Sequence, residues 1–118
     1  MLLIHINSSQ KKEQIQSLAK RLNQEIRTFS AAEYDLTLAS LLKGDKPKNK
    51  PKLPPLYVMP DIIIFSGLRD MELDKFLDEY KKAEIAPTPL KAVVTPYNLN
   101  FKIGELTEHL KAEAAARS

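Results

Sequence analysis

The 118-residue chain contains no cysteine, which excludes disulfides, thiolate metal sites and cysteine nucleophiles. No apolar run approaches the roughly 20 residues needed to cross a bilayer, so no membrane segment is expected. An apolar stretch starts directly after Met1, without a basic leader or a small-residue cleavage site. A cytoplasmic protein without a signal peptide is therefore expected. Neither G-x-G-x-x-G nor G-x-x-x-x-G-K occurs, so the nucleotide phosphate loops are missing. There is no nucleophile-elbow pattern and no Ser/His/Asp set.

Charge imbalance is also small. The chain has 18 Lys+Arg against 15 Asp+Glu, a net +3. Lys43, Lys46, Lys48, Lys50 and Lys52 crowd one short segment, and charges elsewhere nearly balance. The basic character belongs to a loop and not to a folded face, and no aromatics are interleaved there for base stacking. Nucleic acid is disfavoured as a partner on both counts.

What is present is an ordinary globular composition, 43% hydrophobic and 28% charged. One domain over residues 1–118 is expected, able to bury roughly two-thirds of its unfolded surface. Leu2-Leu3-Ile4-His5-Ile6 reads as a strand, and Asn7-Ser8-Ser9 then offers helix-capping oxygens. Ile15, Leu18, Ala19 and Leu22 follow on one helical face. Ile26-Arg27-Thr28-Phe29 reads as a short second strand. Ser30-Ala31-Ala32-Glu33 is a capping-box pattern, with Tyr34, Leu38, Leu41 and Leu42 continuing the helical spacing and Gly44 placed to end it.

Residues 45–60 carry five prolines among the lysines and are expected to form a surface loop without regular structure. Ile62-Ile63-Ile64-Phe65 then reads as a strand covered on both faces. Ser66-Gly67 turns the chain, and Leu73, Phe76, Leu77 and Tyr80 mark a third helix. Leu90 to Val94 forms a fourth strand, Thr95-Pro96-Tyr97-Asn98 a second turn, and Ile103, Leu106 and Leu110 a last helix. Residues 112–118 lack an apolar face and are expected to fray.

Alternation of this kind predicts an α/β domain: a four-stranded, mainly parallel sheet in the order 2-1-3-4 with helices on both faces. A ferredoxin-like α+β sheet is the alternative, and it would need residues 31–42 to be non-helical or peripheral.

Leu90-Lys91-Ala92-Val93-Val94-Thr95-Pro96-Tyr97-Asn98 and the capped helix after it, together with Phe65-Ser66-Gly67-Leu68, resemble a bacterial family called domain of unknown function 3783. The resemblance covers residues 61–111 closely and residues 1–42 more loosely. The family usually has Thr where this chain has Tyr97, and often Trp where it has Phe101. The resemblance implies the fold and carries no activity, substrate or catalytic residue.

In open parallel sheets ligands bind beyond the carboxyl ends of the strands. Asn7, Ser8, Ser66, Gly67, Thr95 and Asn98 all follow strands, and helix amino ends there would favour an anion. These six are the candidate ligand-binding residues, with a phosphate- or carboxylate-bearing ligand expected. The alternative is that each oxygen serves only its own cap or turn. No catalytic residue, metal ligand or cofactor is nominated. His5 and His109 read as structural or solvated. Asp70, Glu72 and Asp74 read as complements of a helix dipole, and Lys91 as snorkelling or paired. Asp61, which precedes a strand, is expected at the end of the sheet opposite the site. The functional expectation is a small non-catalytic module for an anionic ligand or a protein partner. The alternative is an enzyme acting on a phosphorylated or carboxylated metabolite.

Overall fold

The strand Ile62–Phe65 (β3) is buried along its whole length, because successive side chains point to opposite sides and both sides are covered. In the computed structural model, which describes residues 1–117, Ile63 and Phe65 pack with Leu2 and Ile4 of Leu2–His5 (β1) under the helices Ser9–Arg21 (α1) and Asp70–Lys82 (α3). Ile62 and Ile64 pack with Leu3 on the opposite face, under Leu38–Lys43 (α2) and Ile103–Arg117 (α4). Phe76 and Tyr80 anchor α3 to the first face, and Ile103, Leu106 and Leu110 anchor α4 to the second.

The remaining strands are Ile26–Thr28 (β2) and Leu90–Val93 (β4), and the sheet order is β2-β1-β3-β4. That is the expected order, with helices on both faces, so the ferredoxin-like alternative is not adopted. The strand directions need correction. β1 pairs parallel with β2 and β3 with β4, but β1 and β3 run antiparallel, with Leu2 opposite Phe65 and His5 opposite Ile62. The sheet is mixed, two parallel pairs joined back to back, so the expectation of a mainly parallel sheet holds within each pair and fails at the centre. The cause lies in the connection. Parallel neighbours need a crossover that brings the chain back to its starting edge. Here the six-residue α2 is followed by an irregular stretch from residue 45 to 61. At roughly 3.3 Å per extended residue, that stretch can deliver the chain to either edge, and it delivers it to the edge where β1 ends.

Two further elements differ in detail. Ser30 and Glu33 form the expected capping box, with the Ser30 amide donating to Glu33 Oε2 at 3.0 Å, but they open only a 3-10 turn, Ala31–Glu33. The chain then breaks, and Thr37 caps α2 separately. The break is tertiary in origin: the carbonyls of Tyr34 and Leu36 accept from the Gly104 and Ile103 amides at the start of α4. Gly44 ends α2 at φ 83°, as expected. Residues 45–60 carry no helix or strand, yet their end is not solvated: Met59 is 2% exposed and Tyr57 packs on the α2/α4 face. α4 continues to Arg117 through residues expected to fray, with Ala114 packed against the core. Residue 118 lies outside the described residues.

Candidate functional site

The antiparallel centre separates the six residues nominated from sequence. β1 ends beside the start of β3, so Asn7 and Ser8 lie at one edge of the sheet. Ser66, Gly67, Thr95 and Asn98 follow the parallel pair β3 and β4 at the opposite edge. One concavity cannot contain all six.

At the edge holding Ser66 and Asn98 the polar atoms largely serve the chain itself. Asn98 Oδ1 accepts from the Thr95 amide at 2.9 Å, Asn98 Nδ2 donates to the Val93 carbonyl at 3.0 Å, and Thr95 Oγ1 accepts from the Asn98 amide at 3.3 Å. This ties the turn back onto β4. Gly67 sits at φ 74° in open space, the conformation its turn requires. The helix starts have acceptors too. The Arg69 amide donates to Glu72 Oε1 at 2.9 Å and the Lys102 amide to Glu105 Oε1 at 3.0 Å. An anion arriving there would have to displace carboxylates already in place.

The edge holding Asn7 is built differently. Ser8 Oγ caps α1 by accepting from the Lys11 amide at 3.2 Å. Lys11 lies one turn before Ile15, on the apolar face of α1, and is 7% exposed. Its Nζ reaches Asp61 Oδ2 at 2.8 Å and the Pro87 carbonyl at 3.0 Å. Asp61 Oδ1 accepts from the backbone amide of Asn7 at 2.8 Å and from its Nδ2 at 3.1 Å. Asp61 was expected far from Asn7, and the antiparallel pairing makes them neighbours. Burial pushes the Asp61 carboxyl up, but the Lys11 hydrogen bond, the Asn7 amide and the charges of Lys11 and His5 outweigh it, and the carboxyl is held below its ordinary value.

Asn7 Nδ2 also donates to the Met59 carbonyl at 2.9 Å, which fixes the amide orientation, and Asn7 Oδ1 faces His5 Nε2 at 3.1 Å. His5 Nδ1 faces the Phe29 carbonyl at 3.1 Å. Both ring nitrogens meet oxygens that accept, so whichever nitrogen carries the proton donates to one of them.

Next to this cluster, residues 86–89 are pinned from three sides. The Tyr80 hydroxyl donates to the Ala86 carbonyl, leaving the buried Thr88 hydroxyl to donate to it at 2.9 Å. Lys11 holds the Pro87 carbonyl, and Lys91 Nζ donates to the Thr88 carbonyl at 2.8 Å. Lys91 meets no carboxylate at ion-pair distance among the described residues. Burial, then the positive charges of Arg117, Lys11 and Lys81, push its ammonium below the ordinary lysine value. Two shallow depressions open here. One runs over Asn7, Asp61 and Leu90 with Lys111 at its rim, the other over Lys91 and Arg117, and they share Pro89 and Ala114.

The cationic edge was not legible as a site. Lys11 was not singled out from the sequence, although a charge in register with Ile15, Leu18 and Ala19 was a signal that it reaches a buried acceptor. Among the described residues no group of three or more His, Cys, Asp or Glu is placed to hold a metal ion, and no helix is long and apolar enough to cross a membrane.

Residues 61–116 match the model of a family described as a domain of unknown function (DUF3783). The match takes in β3, α3, β4 and nearly all of α4, and with them Asp61, Thr88 and Lys91. No curated protein matches the chain, and no solved structure does.

Proposed function

We propose that the chain is a bacterial, cytoplasmic member of this family and that it works as a small non-catalytic binding module for an anionic ligand. The ligand bears a phosphate or carboxylate group and sits at the edge of the sheet where β4 begins. The observation that carries this reading is Lys91: a cation set among Arg117, Lys11 and Lys81 and, among the described residues, bonded to the Thr88 carbonyl and to no carboxylate. Asp61 offsets Lys11, but Lys91 meets no described carboxylate at ion-pair distance, and an anion beside it relieves the repulsion from its cationic neighbours. Of the six residues nominated from sequence, Asn7 and Ser8 border this edge. The other four lie at the opposite edge, where Thr95 and Asn98 bond within their own turn. Asp61 and Asn7 spend their hydrogen bonds inward, which supports binding over catalysis.

The test is thermal denaturation with inorganic phosphate, pyrophosphate or citrate at constant ionic strength. The melting temperature should rise with the polyanions, and Lys91→Gln should remove most of the rise. No shift beyond that given by chloride contradicts the reading. A second reading rests on the lowered Lys91 ammonium, a property of catalytic lysines: an enzyme acting on a phosphorylated or carboxylated metabolite, with Lys91 exchanging a proton. Turnover of such a compound, abolished by Lys91→Gln, would favour it.

A further inference from the structure

Leu56 is 98% exposed and sits at φ 62°. It occupies the third position of a turn closed by the Tyr57 amide donating to the Pro54 carbonyl at 3.2 Å. Proline at the second position, here Pro55, suits such a turn, but the third position requires positive φ and ordinarily takes glycine or asparagine. A leucine there is strained, and nothing in the fold rewards it, because its side chain is in solvent. Two residues on, Val58 is 71% exposed. The residues alternating with these face inward. Tyr57 stands edge-on to Tyr34 with ring centroids 5.8 Å apart, and Met59 is 2% exposed in the core. The turn is thus held from behind while its two apolar side chains project. Lys46, Lys48, Lys50 and Lys52, all exposed, lead into it.

We infer that the turn at residues 54–58 is a docking knob: Leu56, with Val58 beside it, enters an apolar pocket with an acidic rim on a partner protein. Three features point to this occupant. The strained backbone fixes the direction of one side chain, which matters to a shaped pocket and not to a fluid bilayer that accepts apolar groups at any angle. The approach is lined by lysines, so the matching surface is acidic. Apolar projections at this level of exposure mark association surfaces when they cluster. The knob is a different place from the cationic edge, and the inference stands whether or not an anion binds there.

The experiment pans the full chain against phage-displayed random dodecapeptides and measures the enriched peptides by calorimetry. They should carry a bulky apolar residue beside Asp or Glu. Leu56→Asn should weaken them roughly tenfold or more, as expected for withdrawing a leucine from a pocket, and Lys50→Glu with Lys52→Glu should weaken them further. Leu56→Asn should leave the melting temperature unchanged or raised, since asparagine tolerates this backbone conformation. The inference is overturned if no peptide is enriched, or if Leu56→Asn binds the peptides as well as the native chain. It is equally overturned if that variant melts lower, or if Leu56 matters only for binding phosphatidylserine vesicles or duplex DNA.

Discussion

Lys11 and Asp61 are 50 residues apart in sequence and 2.8 Å apart in space. The pair joins the start of α1 to the start of β3, and through the Pro87 carbonyl it also fastens the segment leading into β4. It exists only because β1 and β3 are antiparallel, since a parallel pairing would put these residues at opposite ends of the sheet.

Lys11→Met should destabilise the fold by about 2 kcal/mol. A fully buried pair loses roughly 3–5 kcal/mol when one partner goes, and partial solvation of this one, with side chains 9% and 23% exposed, lowers the figure. The pH dependence follows from the depressed Asp61 carboxyl. As pH falls, the unfolded chain takes up this proton first, near the ordinary aspartate value of about 3.9. The stabilisation is therefore complete above that value and is lost as pH falls through the lower folded one. Urea denaturation from neutral to acidic pH should show native stability falling steeply over that window and Lys11→Met falling less. Parallel curves would contradict the assignment.

Gly104 lies in the first turn of α4, where alanine ordinarily improves a helix by about 1 kcal/mol over glycine. Here a methyl group would run into the Tyr34 ring. Gly104→Ala should therefore destabilise by about 1–3 kcal/mol. In a Tyr34→Ala background the same substitution should become neutral or stabilising. A double-mutant cycle from denaturation midpoints decides the matter, and additive effects would count against the contact.

The long loop should divide into two parts. Removing about six residues from the stretch 46–51, which is exposed apart from the half-buried Pro47 and Pro51, should change stability by under about 1 kcal/mol, because closure entropy varies slowly with length. Met59→Ala should cost about 2–4 kcal/mol, as for a core methionine. Equal effects from the two changes would show that the loop does not divide at Tyr57.

Much of the fold could be read from the chain because its apolar spacing is unambiguous. Ile62-Ile63-Ile64-Phe65 admits only a strand covered on both faces, and Phe76 with Tyr80 or Leu106 with Leu110 fixes the buried side of a helix. Strand order followed from the alternation of elements. Strand direction did not, because it depends on where a proline-rich connector comes down, and neither prolines nor lysines encode that. The capping box at Ser30 predicted a local start correctly, but its length was set by carbonyls that Ile103 and Gly104 claim from far along the chain. The candidate site suffered most. Asn7 and Asn98 were identified correctly as residues beyond strand ends, and a single reversed pairing sends them to opposite edges.

The most direct test maps where an anion binds. Amide and lysine-ammonium spectra of isotope-labelled protein would be followed during titration with pyrophosphate, in native chain and in Lys91→Gln. Shifts should centre on Thr88, Leu90, Lys91 and the end of α4, with the Lys91 ammonium moving up toward its ordinary lysine value as the anion offsets the neighbouring cations, and with little change in Lys91→Gln. Shifts centred instead on Ser66, Gly67, Thr95 and Asn98, or no saturable shifts at either edge, would contradict the proposed site.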